Sequence, residues 1–142
     1  MLSNKIKNMK NIVSFETAKK LEIAGFERPE IEVGQYWYTS DGRAYFICAI
    51  VGREIFVTWI CPAASMYFIF KNNTDWIYAP TATDLLEVLG GDFVLWYDKS
   101  PKLQMWYCAE TSDIIRDTKA PYGNENAAEA VAEAYLSQSK QQ

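Results

Sequence analysis

Apolar residues recur along this chain with two periods. Phe15, Ala18, Leu21 and Ala24 fall every third residue, which places one apolar stripe on a helix over residues 15–24. Ser14 stands where an N-cap belongs, Gly25 where a left-handed C-cap belongs, and Pro29 forbids an immediate restart. Glu16 and Lys20 are spaced for an i,i+4 ion pair on the wet side. From residue 36 the period falls to two. Tyr36-Trp37-Tyr38, Ala44 to Val51, Glu54 to Cys61 and Met66 to Phe70 read as successive strands. Asp41-Gly42 predicts a type I′ hairpin turn between the first two, and Gly52-Arg53 a type II′ turn between the next two. The turn-rich Asn72 to Asp75 then separates the last of them from Trp76-Ile77-Tyr78.

The helical period returns at Thr81, which with Asp84 makes a capping-box start; Leu85, Leu86 and Leu89 form the buried face and Gly90-Gly91 ends it. Phe93 to Tyr97 and Leu103 to Ala109 predict a hairpin across Asp98 to Lys102. Residues 110–124 show neither period and read as irregular. From Asn124 a last helix turns Ala127, Ala128, Val131, Ala132 and Tyr135 inward and Glu125, Glu129 and Glu133 outward. Its small side chains predict close approach to a sheet. The order α-β-β-β-β-α-β-β-α predicts an α+β two-layer sandwich, an antiparallel meander sheet with helices on one face. One domain over residues 13–139 follows a flexible basic arm over residues 1–12, read as a solvated tail, with Met9 a second candidate start.

Composition narrows the function. The chain has 142 residues, no histidine, and a net charge of −4. The first twenty residues carry five lysines against one glutamate, so the remainder is strongly acidic. An acidic body argues against nucleic acid as the partner, because such binders release phosphate counterions with a basic excess. No signal peptide is expected in the charged first ten residues. The apolar region Ala44 to Phe70 is broken by Gly52-Arg53-Glu54 and Pro62, so no membrane span is expected either. A soluble protein of the cytoplasm is expected.

Candidate chemistry is sparse. Cys48, Cys61 and Cys108 lack CxxC spacing and a histidine to complete a zinc site, and each sits in a strand-like run where a small buried hydrophobe is expected. Cys61, beside Pro62-Ala63-Ala64-Ser65, is the one sulfur that a loop could expose, yet a thiolate there would have only Lys or Arg to activate it. Asp113 and Asp117, with Glu110 nearby, could hold Mg²⁺ or act as an acid–base pair, but Arg116 between them offers neutralisation and a solvated turn is the preferred reading. No catalytic residue, metal or cofactor is assigned, and the chain is read as not an enzyme.

Aromatic residues carry the remaining signal, with five Trp, nine Tyr and seven Phe. Along the second hairpin Leu103, Met105 and Tyr107 alternate with Gln104, Trp106 and Cys108, and Phe93, Leu95 and Tyr97 with Val94 and Trp96. Both faces are therefore partly apolar, while helices are expected on one. Trp37, between Tyr36 and Tyr38, raises the same question. Trp37, Trp96 and Trp106 are accordingly the expected interaction surface, since Trp and Tyr dominate interface hot spots. The alternative is that the sheet curls and buries them. The partner would be a second copy, as a homodimer, or another protein; a small planar ligand or nucleotide stacked on the rings is the second reading.

Two stretches carry a resemblance. Ser14-Phe15-Glu16-Thr17-Ala18-Lys19-Lys20-Leu21 leading to Gly25-Phe26, and Tyr78-Ala79-Pro80-Thr81 leading to Leu85 and Leu89, resemble small proteins of Bacteroidetes phages and related mobile elements. Those proteins also end in an Ala- and Glu-rich helix like Ala127 to Leu136. The chain departs from them at Gly90-Gly91-Asp92, where many relatives continue through a charged stretch. The resemblance implies a phage or prophage origin, an α+β fold, and a host or phage protein as partner. It carries over no catalytic residue.

Overall fold

The computed structural model describes residues 12–59, 67–69, 75–102 and 104–140. The basic arm before Ile12, Cys61 with its loop, and Leu103 lie outside the described residues. The first helix, α1, spans Phe15–Ile23; the Ser14 side chain accepts the Thr17 N–H at 3.2 Å. It closes with Phe26 N–H on Leu21 O and Gly25 N–H on Glu22 O, a left-handed glycine cap. The expected Glu16–Lys20 pair does not form; Lys19 Nζ meets Glu16 at 3.2 Å instead.

Five antiparallel strands follow: β1 Tyr36–Tyr38, β2 Ala44–Val51, β3 Glu54–Trp59, β4 Tyr67–Ile69 and β5 Ile77–Ala79, in the spatial order β4-β3-β2-β1-β5. The turn between β1 and β2 is not type I′. Gly42 alone takes a positive φ, 86°, and Thr39 N–H bonds Arg43 O, so a three-residue loop with a bulge replaces the two-residue one. A side chain at residue 42 would also meet the Phe15 ring at 3.2 Å. β2 carries an irregularity between Ile47 and Ala49, where the Cys48 thiol donates to Phe56 O.

The second helix, α2 Ala82–Leu89, has the capping box expected of Thr81 and Asp84. β6 Phe93–Asp98 and β7 Met105–Glu110 form the expected hairpin. Residues 110–124, expected to be irregular, contain a one-and-a-half-turn helix, α3 Thr111–Arg116, and a strand, β8 Tyr122–Asn124, that completes a second sheet in the order β6-β7-β8. The last helix, α4, spans Ala127–Lys140, starting later than expected because Asn124 belongs to β8 and Asn126 Oδ1 caps it by accepting the Ala128 N–H at 2.8 Å.

The α+β class holds and the predicted elements follow one another in the expected order, with a fifth strand before α2 and with α3 and β8 added, but the strands form two antiparallel sheets in place of the single meander sheet expected. α4 packs on β7, β8, α2 and α1, and Ala127, Ala128, Ala130, Val131, Ala132 and Ala134 are all buried. A helix apolar on most sides is a core helix, and its alanines let the neighbouring backbones come close. The main core joins these residues to Val13, Leu21, Tyr38, Leu85 and Cys108. A second core of Trp37, Tyr45, Ile47 and Val57 lies on the other face of the first sheet. Ile12, placed in the arm by the sequence reading, is buried: it bridges to Thr81, and its carbonyl accepts from Asn126 Nδ2 at 2.9 Å. Among the described residues no helix is long and apolar enough to cross a membrane.

Candidate interaction surface

Cross-strand register decides which aromatics share a face. β6 and β7 pair Leu95 with Cys108, Trp96 with Tyr107 and Tyr97 with Trp106. Residues directly opposite in an antiparallel pair point the same way. One face therefore holds Phe93, Leu95, Tyr97, Trp106, Cys108 and Glu110, and the other Val94, Trp96, Asp98, Met105, Tyr107 and Ala109. Phe93, Leu95, Trp106 and Cys108 belong to the main core, so the α4 side is the first of these faces. Trp106 packs inward beside Tyr97, ring centroids 5.2 Å apart.

The expected three-tryptophan surface therefore separates. Trp37 is 1% exposed and belongs to no surface. Its indole N–H donates to Gln35 Oε1 at 3.1 Å, the Arg28 guanidinium lies 5.1 Å from its ring, and Tyr78 packs at 5.2 Å. The segment between α1 and β1, which includes Ile31 and Gln35, closes over that face of the first sheet. Trp106 points into the core and Trp96 points out. Only Trp96 of the three lies on the outer face.

That outer face has its own order. Trp96 stacks on Tyr107 with centroids 5.7 Å apart and planes 26° apart. Tyr107 in turn lies across Gly123 of β8, where a Cβ would sit 2.8 Å from its ring and 3.2 Å from the Met105 methyl. Glycine at 123 lets the ring lie flat on the strand. Val94, Trp96, Met105 and Tyr107 belong to neither core cluster, and Val94 is 38% exposed. No signal short of the strand register could have assigned Tyr107 and Gly123 to this face.

The other candidates do not gather into a reactive site. Asp113 accepts from Thr118 Oγ1 at 2.9 Å, while Asp117 takes a left-handed C-cap conformation on the exposed end of α3. Among the described residues no three His, Cys, Asp or Glu side chains converge as a metal ion would require. Cys108 is fully buried, and burial pushes its thiol up to about 11, which leaves it protonated and a poor nucleophile at neutral pH. Cys61 lies outside the described residues.

A mostly apolar groove of about 730 Å³ runs between the end of α1 and the end of α4, lined by Ile23, Ala24, Tyr122 and Leu136 with Lys20 and Glu133 at its edges. Partial desolvation raises the Glu133 carboxyl, the Asn124 amide opposes this and the Glu129 carboxylate adds to it. The Tyr122 hydroxyl is engaged with Ser137 and the Ser139 hydroxyl with Leu136 O, so few polar groups there are left to hold a ligand. Glu129, expected on the outer side of the last helix, instead accepts from Ser14 N–H and Thr17 Oγ1 of α1. No protein-family model, curated protein or solved structure matches this chain.

Proposed function

We propose that this chain is a non-enzymatic binding protein that engages another protein through the outer face of its three-stranded sheet. One observation carries the reading: Val94, Trp96, Met105 and Tyr107 lie together on a face outside both cores, half-exposed or exposed, bordered by Asp98 and ordered by the Trp96–Tyr107 stack and the Gly123 backbone beneath it. A rigid, pre-stacked aromatic pair gives large contact area at low entropic cost on binding, which is what interface anchors supply. The mobile-element resemblance suggests an accessory role in a bacterial host, with a host or phage protein as partner. The test is capture by the tagged chain from infected and uninfected Bacteroidetes lysate, followed by reconstitution with the purified partner. Binding that falls at least ten-fold for Trp96→Ala, with Trp37→Phe unable to reproduce it by surface loss, supports the reading. Partner binding indifferent to Trp96 and Tyr107 overturns it.

A second reading, a small-ligand binder, rests on the groove between α1 and α4, whose volume falls in the range of small-molecule sites. Among the described residues no tryptophan lines it, so a ligand there would leave Trp fluorescence nearly unchanged while protecting α4 amides from exchange.

A further inference from the structure

α1 and α4 run side by side in the same direction. Glu129 accepts the Ser14 N–H and the Thr17 hydroxyl, and further along both helices Lys20, Ile23 and Ala24 share the groove with Glu133, Leu136 and Ser137. The groove therefore lies where the C-terminal ends of two helices meet. Both ends present carbonyl groups whose partial negative charge favours a cation. Glu133 adds a full negative charge to that edge. Partial desolvation raises its carboxyl, and it has no ion-pair partner among the described residues. The apolar lining is open to solvent at Ile23, which is 87% exposed. These features call for an occupant that is apolar along one side and basic at its flanks.

We propose that the occupant is the chain's own segment from Leu2 to Lys10, laid as a short amphipathic helix along the groove between α1 and α4. At helical spacing Leu2, Ile6 and Met9 recur at i, i+4 and i+7, the pattern by which a helix seats itself in an apolar groove. Lys5 and Lys10 flank that stripe on its two sides, and residues 1–11 contain no acid. The point of departure is fixed as well. Ile12 is held at the start of α4 by the Asn126 amide on its carbonyl, so the segment begins where α4 begins. From Asn126 to Leu136 the helix rises about 15 Å. After a turn at Asn11, a helix over Leu2 to Lys10 spans about 14 Å and runs antiparallel to α4. Leu2 and Ile6 then cover Ile23, Tyr122 and Leu136, with Lys5 within reach of Glu133 and Lys10 within reach of the exposed Glu125. The inference goes beyond the sheet-face reading and is independent of it. A small ligand in this groove would have to displace the segment.

The experiment is hydrogen–deuterium exchange on the full chain, read on peptides covering residues 2–11. A helix this short is marginal on its own in water, so protection there reports docking. The amides of the segment should exchange roughly ten-fold or more slowly than those of an unstructured chain. Ile23→Asp and Glu133→Lys should each remove most of that protection, and both positions are exposed, so the fold should be retained. Ile115→Asp is the control, because Ile115 is comparably exposed, at 78%, and does not line the groove; it should change nothing. Segment amides that exchange at unstructured-chain rates in the native protein overturn the proposal, as does protection indifferent to both groove variants. Protection that disappears on dilution, together with a dimer-to-monomer shift in sedimentation velocity, puts the segment of one copy on another and also overturns it. None of these outcomes involves Trp96, so the sheet-face reading stands or falls separately.

Discussion

Glu129 and Thr17, 112 residues apart in sequence, are joined by a 2.7 Å hydrogen bond from the threonine hydroxyl to the carboxylate, whose other oxygen accepts the Ser14 N–H at 2.5 Å. One side chain of the last helix thereby takes up an orphan donor at the start of the first. Negative charge at a helix N-terminus is also favoured by the aligned peptide dipoles. Glu129→Ala should lower stability by about 2 kcal/mol, the usual scale for hydrogen bonds to a charged group. Glu129→Gln should recover part of that. Urea midpoints of the three proteins check both.

Tyr38 donates its hydroxyl to Val13 O at 2.7 Å inside the main core. Burial, with the Glu129 carboxylate adding, pushes its hydroxyl from 10.0 up to about 12. A phenol that holds its proton more tightly folded than unfolded contributes stability that is complete below pH 10. That contribution is lost as the pH rises from 10 to 12, reaching about 3 kcal/mol. Tyr78, half-buried and bonded to Asp84, is raised in the same direction. The free energy of unfolding should therefore fall steeply across that window, and Tyr38→Phe should flatten the fall. Denaturation at stepped alkaline pH, with tyrosinate absorbance, measures it.

Cys108 sits against α4 with no exposed surface and a thiol raised by burial. Peptide mapping after brief treatment of the native protein with a maleimide should find Cys108 unlabelled, and full labelling only after denaturation. Rapid native labelling of Cys108 would mean that α4 opens readily from the second sheet.

The alanines of α4 lie wholly in the interior. Ala130, Ala132 and Ala134 are each completely buried. Ala132→Leu adds three carbons where the backbones already approach closely, and overpacking of this kind costs about 1–3 kcal/mol or more. A comparable substitution at the exposed Glu125 should cost less than about 0.5 kcal/mol. Thermal unfolding of the two variants separates these outcomes.

What was legible in the sequence was local. Ser14 and Thr81 cap their helices as expected because a cap acts within three residues, and the β6–β7 hairpin follows from its own alternation. Trp37 was misplaced because its cover is the segment around Arg28 and Gln35, which has no period to read. β8 is three residues long and contains a glycine, too short for an alternation to register. Glu129 looks solvent-facing on any helical wheel, since its partners lie on the first helix. The outer face of the second sheet was half legible: the alternation set Trp96 apart from Leu95 and Tyr97, but only the pairing with β7 puts Trp106 on the opposite face and Tyr107 beside it.

Gly123 gives the sharpest test of that surface. A methyl group there would come within 2.8 Å of the Tyr107 ring, and the ring is held between Gly123 and the stacked Trp96. Aromatic carbon cannot yield as the end of a flexible chain would, so Gly123→Ala should lift Tyr107 off β8 and break its stack on Trp96. Gly123 has no positive φ, so no backbone strain is added, and the cost should stay near 1–2 kcal/mol. Trp emission should shift to the red and the near-ultraviolet circular dichroism should weaken while the far-ultraviolet spectrum stays unchanged. If the pre-stacked pair is what a partner meets, the same variant should lose binding in proportion to the lost stack. Tyr107→Ala in the Gly123→Ala background should then add little, because both changes remove one interaction.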